Sequence, residues 1–185
     1  MTAIKVAVLI GSLRKDSLNH KLAKALERLA PQELSFEHVR IDNLPFYNQD
    51  FDSDYPPVCR QLKEQIKSAD ALLFVTPEYN RSVPGVLKNA IDIASRPYGA
   101  SAFAGKAGAV VGISVGATGT AMAQQHLRNI MAYLDVPLMG QPEVFVKYSD
   151  GLIDQDGNIG VESTKKFLQE FVDRYVDWVR RHMHA

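Results

Sequence analysis

The chain has one cysteine, Cys59, no excess charge of either sign, and no apolar run long enough to cross a bilayer. One cysteine cannot close an internal disulfide, and without a cysteine cluster there is no thiolate site for zinc or an iron–sulfur centre. A reducing cytoplasm is the expected location. Lys+Arg and Asp+Glu number 21 each. No broad basic surface is therefore available for a nucleic acid or an anionic membrane, and neither is expected as a partner. The longest uncharged stretch, Ala107 to Ala123, is broken by Gly108, Gly112, Gly116 and Gly119 and carries Ser114, Thr118 and Thr120. It reads as a buried strand followed by a glycine loop, not as a membrane helix. The N-terminal apolar run, within MTAIKVAVLIGSLRK, is shorter and has no cleavage-site pattern, so it too reads as a strand.

The 185 residues, 46% hydrophobic and 23% charged, have the balance of an ordinary globular protein. That excludes disorder, a collagen-like fibre and a coiled coil, and predicts one domain over residues 1–185. Short β-branched runs alternate with helix-period segments. The runs are Val6–Ile10, Phe36–Val39, Ala71–Thr76, Gly108–Ser114 and a weaker Val144–Val146. Several are continuously apolar, as strands covered on both faces must be. Between and after them lie helical stripes: Leu18, Leu22, Leu26 and Leu29; Val58, Leu62 and Ile66; Leu87, Ala90, Ile91 and Ala94; Leu127, Ile130, Met131 and Leu134; Leu168, Phe171, Val172 and Tyr175. The alternation predicts an α/β fold, a parallel sheet with helices on both faces. Such sheets bind ligands beyond the carboxyl ends of their strands. The loops to inspect are therefore Gly11–Ser17, Pro77–Pro84 and Ser114–Gly119. The long Ile41–Pro57 segment reads as a surface excursion without chemistry.

The first loop and helix start read GSLRKDSLN. A helix start offers unpaired N–H groups and the positive end of the helix dipole. Gly11 allows close backbone approach, Ser12 and Ser17 add hydroxyls, Asn19 adds an amide, and Arg14 adds a charged fork suited to phosphate. This describes a cradle for one terminal phosphate. It lacks both the GxGxxG dinucleotide spacing and the GxxxxGK[ST] triphosphate spacing. The alternative is an ordinary strand–helix turn with Ser17 as cap. In the second loop, PEYNRSVPG, Pro77 and Pro84 stiffen both ends and Tyr79 and Asn80 stand between them, as would suit the edge of a planar ring. Tyr79 reads equally as a rim residue packed on a neighbouring loop, and Glu78 as a solvated acid or a partner for Lys88. The third loop, SVGATGT, is small enough for a flat ligand to lie on its backbone, with Ser114 in hydrogen-bonding position, or is a plain glycine turn.

GSLRKDSLN, PEYNRSVPGVLKNAID, and SVGATG followed by AQQHLRNIM together resemble the small NAD(P)H-dependent FMN reductases, which include bacterial quinone, azo-dye and chromate reductases. The resemblance implies a flavodoxin-like doubly wound sheet of five parallel strands in the order 2-1-3-4-5. It implies that Ser12, Arg14, Ser17 and Asn19, with Gly11, Leu13 and Leu18 in the same cradle, hold the FMN phosphate. Pro77, Glu78, Tyr79 and Asn80 would border the flavin ring, and Ser114, with Gly116 beside it, would reach the ring's polar edge. Arg81 would touch the phosphates of the nicotinamide cofactor or be solvated. The implied activity is hydride transfer from NADPH or NADH through FMN to quinones or related acceptors such as azo compounds, chromate or free flavin. No side chain is nominated as a catalytic acid. Members of the family are dimers or tetramers, so a homodimer or homotetramer is implied, and a net charge of zero gives little protection against self-association.

Other readings compete. Gly112-Ile-Ser114-Val-Gly116 matches the nucleophile elbow of serine hydrolases, with Asp154 or Asp173 and then His182 in a permitted order. A one-electron flavodoxin-type carrier shares the topology, but such carriers are usually strongly acidic and this chain is neutral. A response-regulator receiver needs an aspartate where Thr76 stands. Cys59 as a phosphatase nucleophile has no anion loop around it.

Overall fold

The computed structural model describes residues 3–183. Strands β1 (Ile4–Ile10), β2 (Leu34–His38), β3 (Ala71–Val75), β4 (Ala107–Ser114) and β5 (Val144–Lys147) form one parallel sheet in the order β2-β1-β3-β4-β5. Helices α1 (Leu18–Leu29), α2 (Pro57–Lys67), α3 (Gly85–Ser95), α4 (Ala121–Tyr133) and α5 (Glu162–Met183) connect or follow them. The predicted flavodoxin-like α/β sheet is therefore the observed one, and each apolar run falls within a residue or two of its strand.

The continuous apolar runs are explained by two cores. Side chains alternate across a strand. Val6, Val8 and Ile10 of β1 pack with α1 and α5, while Ala7 and Leu9 pack with α2 and α3 on the other face. In β3, Leu73 and Val75 face the first core and Leu72 and Phe74 the second. Within β4, Gly112 is the tightest position: an added Cβ would lie 2.0 Å from Thr120 Oγ1 and 2.3 Å from the Thr76 carbonyl. Close approach of the chain at the start of α4 and at the end of β3 accounts for this glycine.

The Ile41–Pro57 segment is more than a surface excursion. Ile41 and Tyr55 are buried in the second core, and a short 3₁₀ turn spans Gln49–Ser53. Asn89 of α3 accepts from the Tyr47 N–H at 2.8 Å and donates to the Pro45 carbonyl at 2.9 Å. The Tyr55 hydroxyl donates to the Ile93 carbonyl. The segment is thus a strap tied along α3.

Hydrogen bonds between strand ends bring the site loops together. The Gly11 N–H donates to the Val75 carbonyl, that of Thr76 to Val111, and that of Tyr148 to Ser114, all at 2.8–2.9 Å. The loops after β1, β3 and β4 thus leave the sheet side by side. Gly112→Ala should cost about 1–3 kcal/mol by forcing an extra methyl into closed packing. Gly140→Ala, where nothing lies within 4 Å, should stay within about 0.5 kcal/mol of the parent. Urea unfolding of both variants checks this.

Candidate functional site

The site begins at α1. Ser17 is its N-cap, its Oγ accepting from the N–H groups of Asn19 and His20 at 3.2 and 3.4 Å. This leaves the Ser17 hydroxyl proton available to a ligand. Among the described residues, the N–H groups of Ser12, Leu13, Lys15, Asp16 and Leu18 take no protein acceptor. Ser12 is buried and its Oγ accepts from the Arg14 N–H at 3.4 Å, while Leu13, Arg14 and Lys15 are exposed. The first turn of the helix carries no acid. Unpaired amides, two hydroxyls and an unopposed helix start make an anion seat, so the residues present fit a phosphate.

Two predicted contacts have other work. Asn19 is buried; its amide nitrogen donates to the Ile113 carbonyl at 3.0 Å and its Oδ1 accepts from the Ile113 N–H at 3.2 Å. Asn19 therefore fastens α1 to β4, and its side chain is not a free phosphate donor. Glu78 is neither solvated nor paired with Lys88, which bonds Asp92 instead. Its carboxylate accepts from the N–H groups of Met122 and Ala123 at 2.9 and 3.1 Å. Thr120 offers α4 no side-chain cap, so Glu78 caps that helix from another loop, where the helix dipole favours an anion.

Between these anchors Tyr79–Ser82 forms a two-residue hairpin turn. The N–H of each end residue donates to the carbonyl of the other, at 3.1 and 3.0 Å. Asn80 (φ 51°) and Arg81 (φ 63°) both occupy the left-handed region, as a type I′ turn requires. Asparagine tolerates it, but arginine does so at a cost. The turn leaves Tyr79 54% exposed. Ser82 is braced by His126, their Oγ and Nδ1 lying 2.9 Å apart. Arg81 reaches Thr118 of the third loop at 3.5 Å and lies 3.8 Å from Glu78. Pro77 and the α3 residue Leu87 pack against Gly11, where an added Cβ would lie 3.3 and 3.0 Å from them, so the first two loops touch.

Ser114 closes the third loop. Its Oγ donates to the Gly119 carbonyl and accepts from the Gly116 N–H at 3.2 Å. Its proton is already given to a carbonyl, and among the described residues no histidine bonds it. His182 lies on the Trp178 ring, and Trp178 bonds the Pro137 carbonyl beside Gly108 at the opposite end of β4. The Asp154 carboxylate shapes its own turn, accepting from the side chain and N–H of Asn158 and from the N–H of Asp156, and the Asn158 bonds foremost hold it below the usual range. Among the described residues no hydrolase triad is assembled. Cys59 is buried in α2, and burial pushes its thiol up, away from nucleophilic use. Among the described residues no group of side chains is placed to hold a metal, and no helix is long and apolar enough to cross a membrane.

The profile of the family described as NADPH-dependent FMN reductase matches residues 4–150. This chain belongs to that family. The match runs from β1 to just past β5 and so includes all three site loops. A 2-hydroxy-1,4-benzoquinone reductase of a Burkholderia species is 59% identical over 178 residues, 96% of this chain and 97% of the other. A quinone reductase of Pseudomonas putida is 48% identical over 176 residues, covering 95% and 94%. Among solved structures, FerB of Paracoccus denitrificans, a flavoenzyme NAD(P)H:(acceptor) oxidoreductase, superposes with a TM-score of 0.93 at 47% identity, covering 97% of this chain and 99% of FerB. The chain is an oxidoreductase of the FMN and NAD(P)H class, and the anion seat at α1 is chemically matched to a flavin monophosphate.

Glu78 and Asn19 were not recoverable as structural clamps from sequence, because their partners lie far along the chain. Glu78→Ala should destabilise the protein by about 1–2 kcal/mol through loss of the α4 cap. Glu78→Gln, which keeps an acceptor, should recover part of that. Equal unfolding midpoints for Glu78→Ala and the parent would remove the cap from this account.

Proposed function

We propose that the protein reduces quinones with NADPH or NADH, using FMN held across the three loops, and that azo compounds, chromate or free flavin serve as related acceptors. The observation that carries this is the anion seat at α1, beside a rigid aromatic turn and a small-residue loop at the carboxyl end of the sheet. Bound FMN supplies two-electron carriage between a nicotinamide and an acceptor. The chain supplies position. The amides of Lys15, Asp16 and Leu18, the hydroxyls of Ser12 and Ser17 and the Arg14 guanidinium hold the phosphate. Pro77, Tyr79 and Asn80 border the ring, and the SVGATGT backbone, with Ser114 and Gly116, leaves room for its flat edge. Leu13 and Leu18 flank the seat. The names of the quinone-reducing relatives support quinones as acceptors, and the full-length match to them supports one catalytic domain over the whole chain. A homodimer or homotetramer is in keeping with the zero net charge and with the exposed Tyr98 and Tyr133. A reducing cytoplasm suits the single buried cysteine.

Arg14→Ala should weaken FMN ten- to a hundredfold, about 1.5–3 kcal/mol for a charge-assisted bond. Riboflavin, which lacks the phosphate, should bind weakly and ignore the change; equal affinity for FMN and riboflavin would overturn the assignment of the seat. One pocket that serves cofactor and acceptor in turn should give parallel initial-rate lines at several fixed quinone concentrations. Intersecting lines would require both bound at once and a second site.

A further inference from the structure

One cavity lies on the β2 side of the phosphate seat, away from the second and third loops. It encloses about 300 Å³ between the carboxyl ends of β1 and β2. Val8, Ile10, Val39 and Ile41 line it with apolar surface, and His20 and Arg40 line it with polar groups. Ser12 and Leu13 also border it, so it opens directly off the loop that seats the flavin phosphate. Nothing in the chemistry described above uses it.

Its position and lining match a nucleoside. In doubly wound dinucleotide folds the phosphate lies at the first helix start, and an acid or arginine after the second strand reads the ribose or its 2′-phosphate. Here Arg40 and Asp42 follow β2, paired through Arg40 Nε at 2.6 Å and Nη2 at 3.2 Å. The remaining Arg40 donors take no partner among the described residues. Burial foremost, then the charges of His38 and Lys24, holds His20 below its ordinary value. Its ring is thus neutral near pH 7 and offers one donor and one acceptor. The volume is at the lower end of the range for small-molecule sites.

We propose that this cavity is an adenosine nucleotide pocket. The base lies on the β1–β2 floor, its polar edge meets His20, and the ribose or its phosphate faces Arg40 and Asp42. The nicotinamide cofactor carries this chemistry to the site, its adenosine end reaching past the flavin phosphate. The proposal rests on the flavin reading only for the location of the phosphate.

The test uses FMN-loaded protein titrated with AMP and with adenosine 2′,5′-bisphosphate, followed by calorimetry and by the ring-proton NMR signals of His20 and His38. Saturable binding that shifts both histidines is expected. Arg40→Ala should weaken the bisphosphate about tenfold, with an unchanged unfolding midpoint because Arg40 is exposed. Arg40→Ala should also raise the KM for NADPH at constant kcat; an unchanged KM for NADPH would count against the proposal. Absence of AMP binding up to about 10 mM, or binding that leaves both histidines unmoved, overturns the proposal. A protein that takes up no FMN yet still binds AMP would refute the flavin reading and leave this one standing.

Discussion

The side chain of Asn19 holds the two halves of the site in register. Buried in the first turn of α1, it gives one hydrogen bond to the backbone of Ile113 and takes one from it. The start of α1 cannot move relative to the end of β4 without leaving two buried backbone groups unpaired, at about 1–3 kcal/mol each. The anion seat at the start of α1 and the SVGATGT loop therefore sit at a fixed separation. Glu78 performs the corresponding task between the second loop and α4. With Gly11 packed against Pro77 and Leu87, three loops distant in sequence become one rigid rim. A flat cofactor anchored at its phosphate requires such a rim, because its ring is placed by the wall it meets and not by a covalent bond.

Strain is concentrated in that rim. Asn80 and Arg81 both take positive φ, although the second position of such a turn is the one glycine occupies without penalty. The paired Tyr79–Ser82 hydrogen bonds and the His126 brace hold the turn against this cost. The result is an exposed aromatic ring, Tyr79, and an exposed guanidinium, Arg81, carried on one turn of the second loop. Strained residues kept in place by their surroundings are common at ligand-binding edges.

Much of the architecture could be read from residues alone. Two-sided burial leaves continuous apolar runs, so β1, β3 and β4 announced themselves, and the stripes of α1 and α5 are regular. The three site loops followed from topology, since ligands gather beyond the strand ends. The roles of Asn19 and Glu78 did not follow. Their partners are 94 and 44 residues away, and a hydrogen bond to a distant backbone leaves no periodic trace in either side chain's neighbourhood. The Ile41–Pro57 strap was missed for the same reason: Asn89 is one polar residue on a helix surface until its two backbone partners are seen. Gly112 misled in the opposite direction. It completes a nucleophile-elbow pattern by sequence, yet its lack of a side chain answers to Thr120 and the Thr76 carbonyl.

The central claim is that the unpaired amides at the start of α1 are the seat of the flavin phosphate. Phosphorus-31 NMR of the FMN-loaded protein tests it most directly. A free phosphate monoester takes its second proton with a pKa of about 6. Held by backbone N–H groups and the Ser12, Ser17 and Arg14 side chains, the dianion should give one resonance that stays constant from about pH 5 to pH 8, because bonds to the charged form lower its pKa. A bound phosphate that titrates as it does in free FMN would contradict the account.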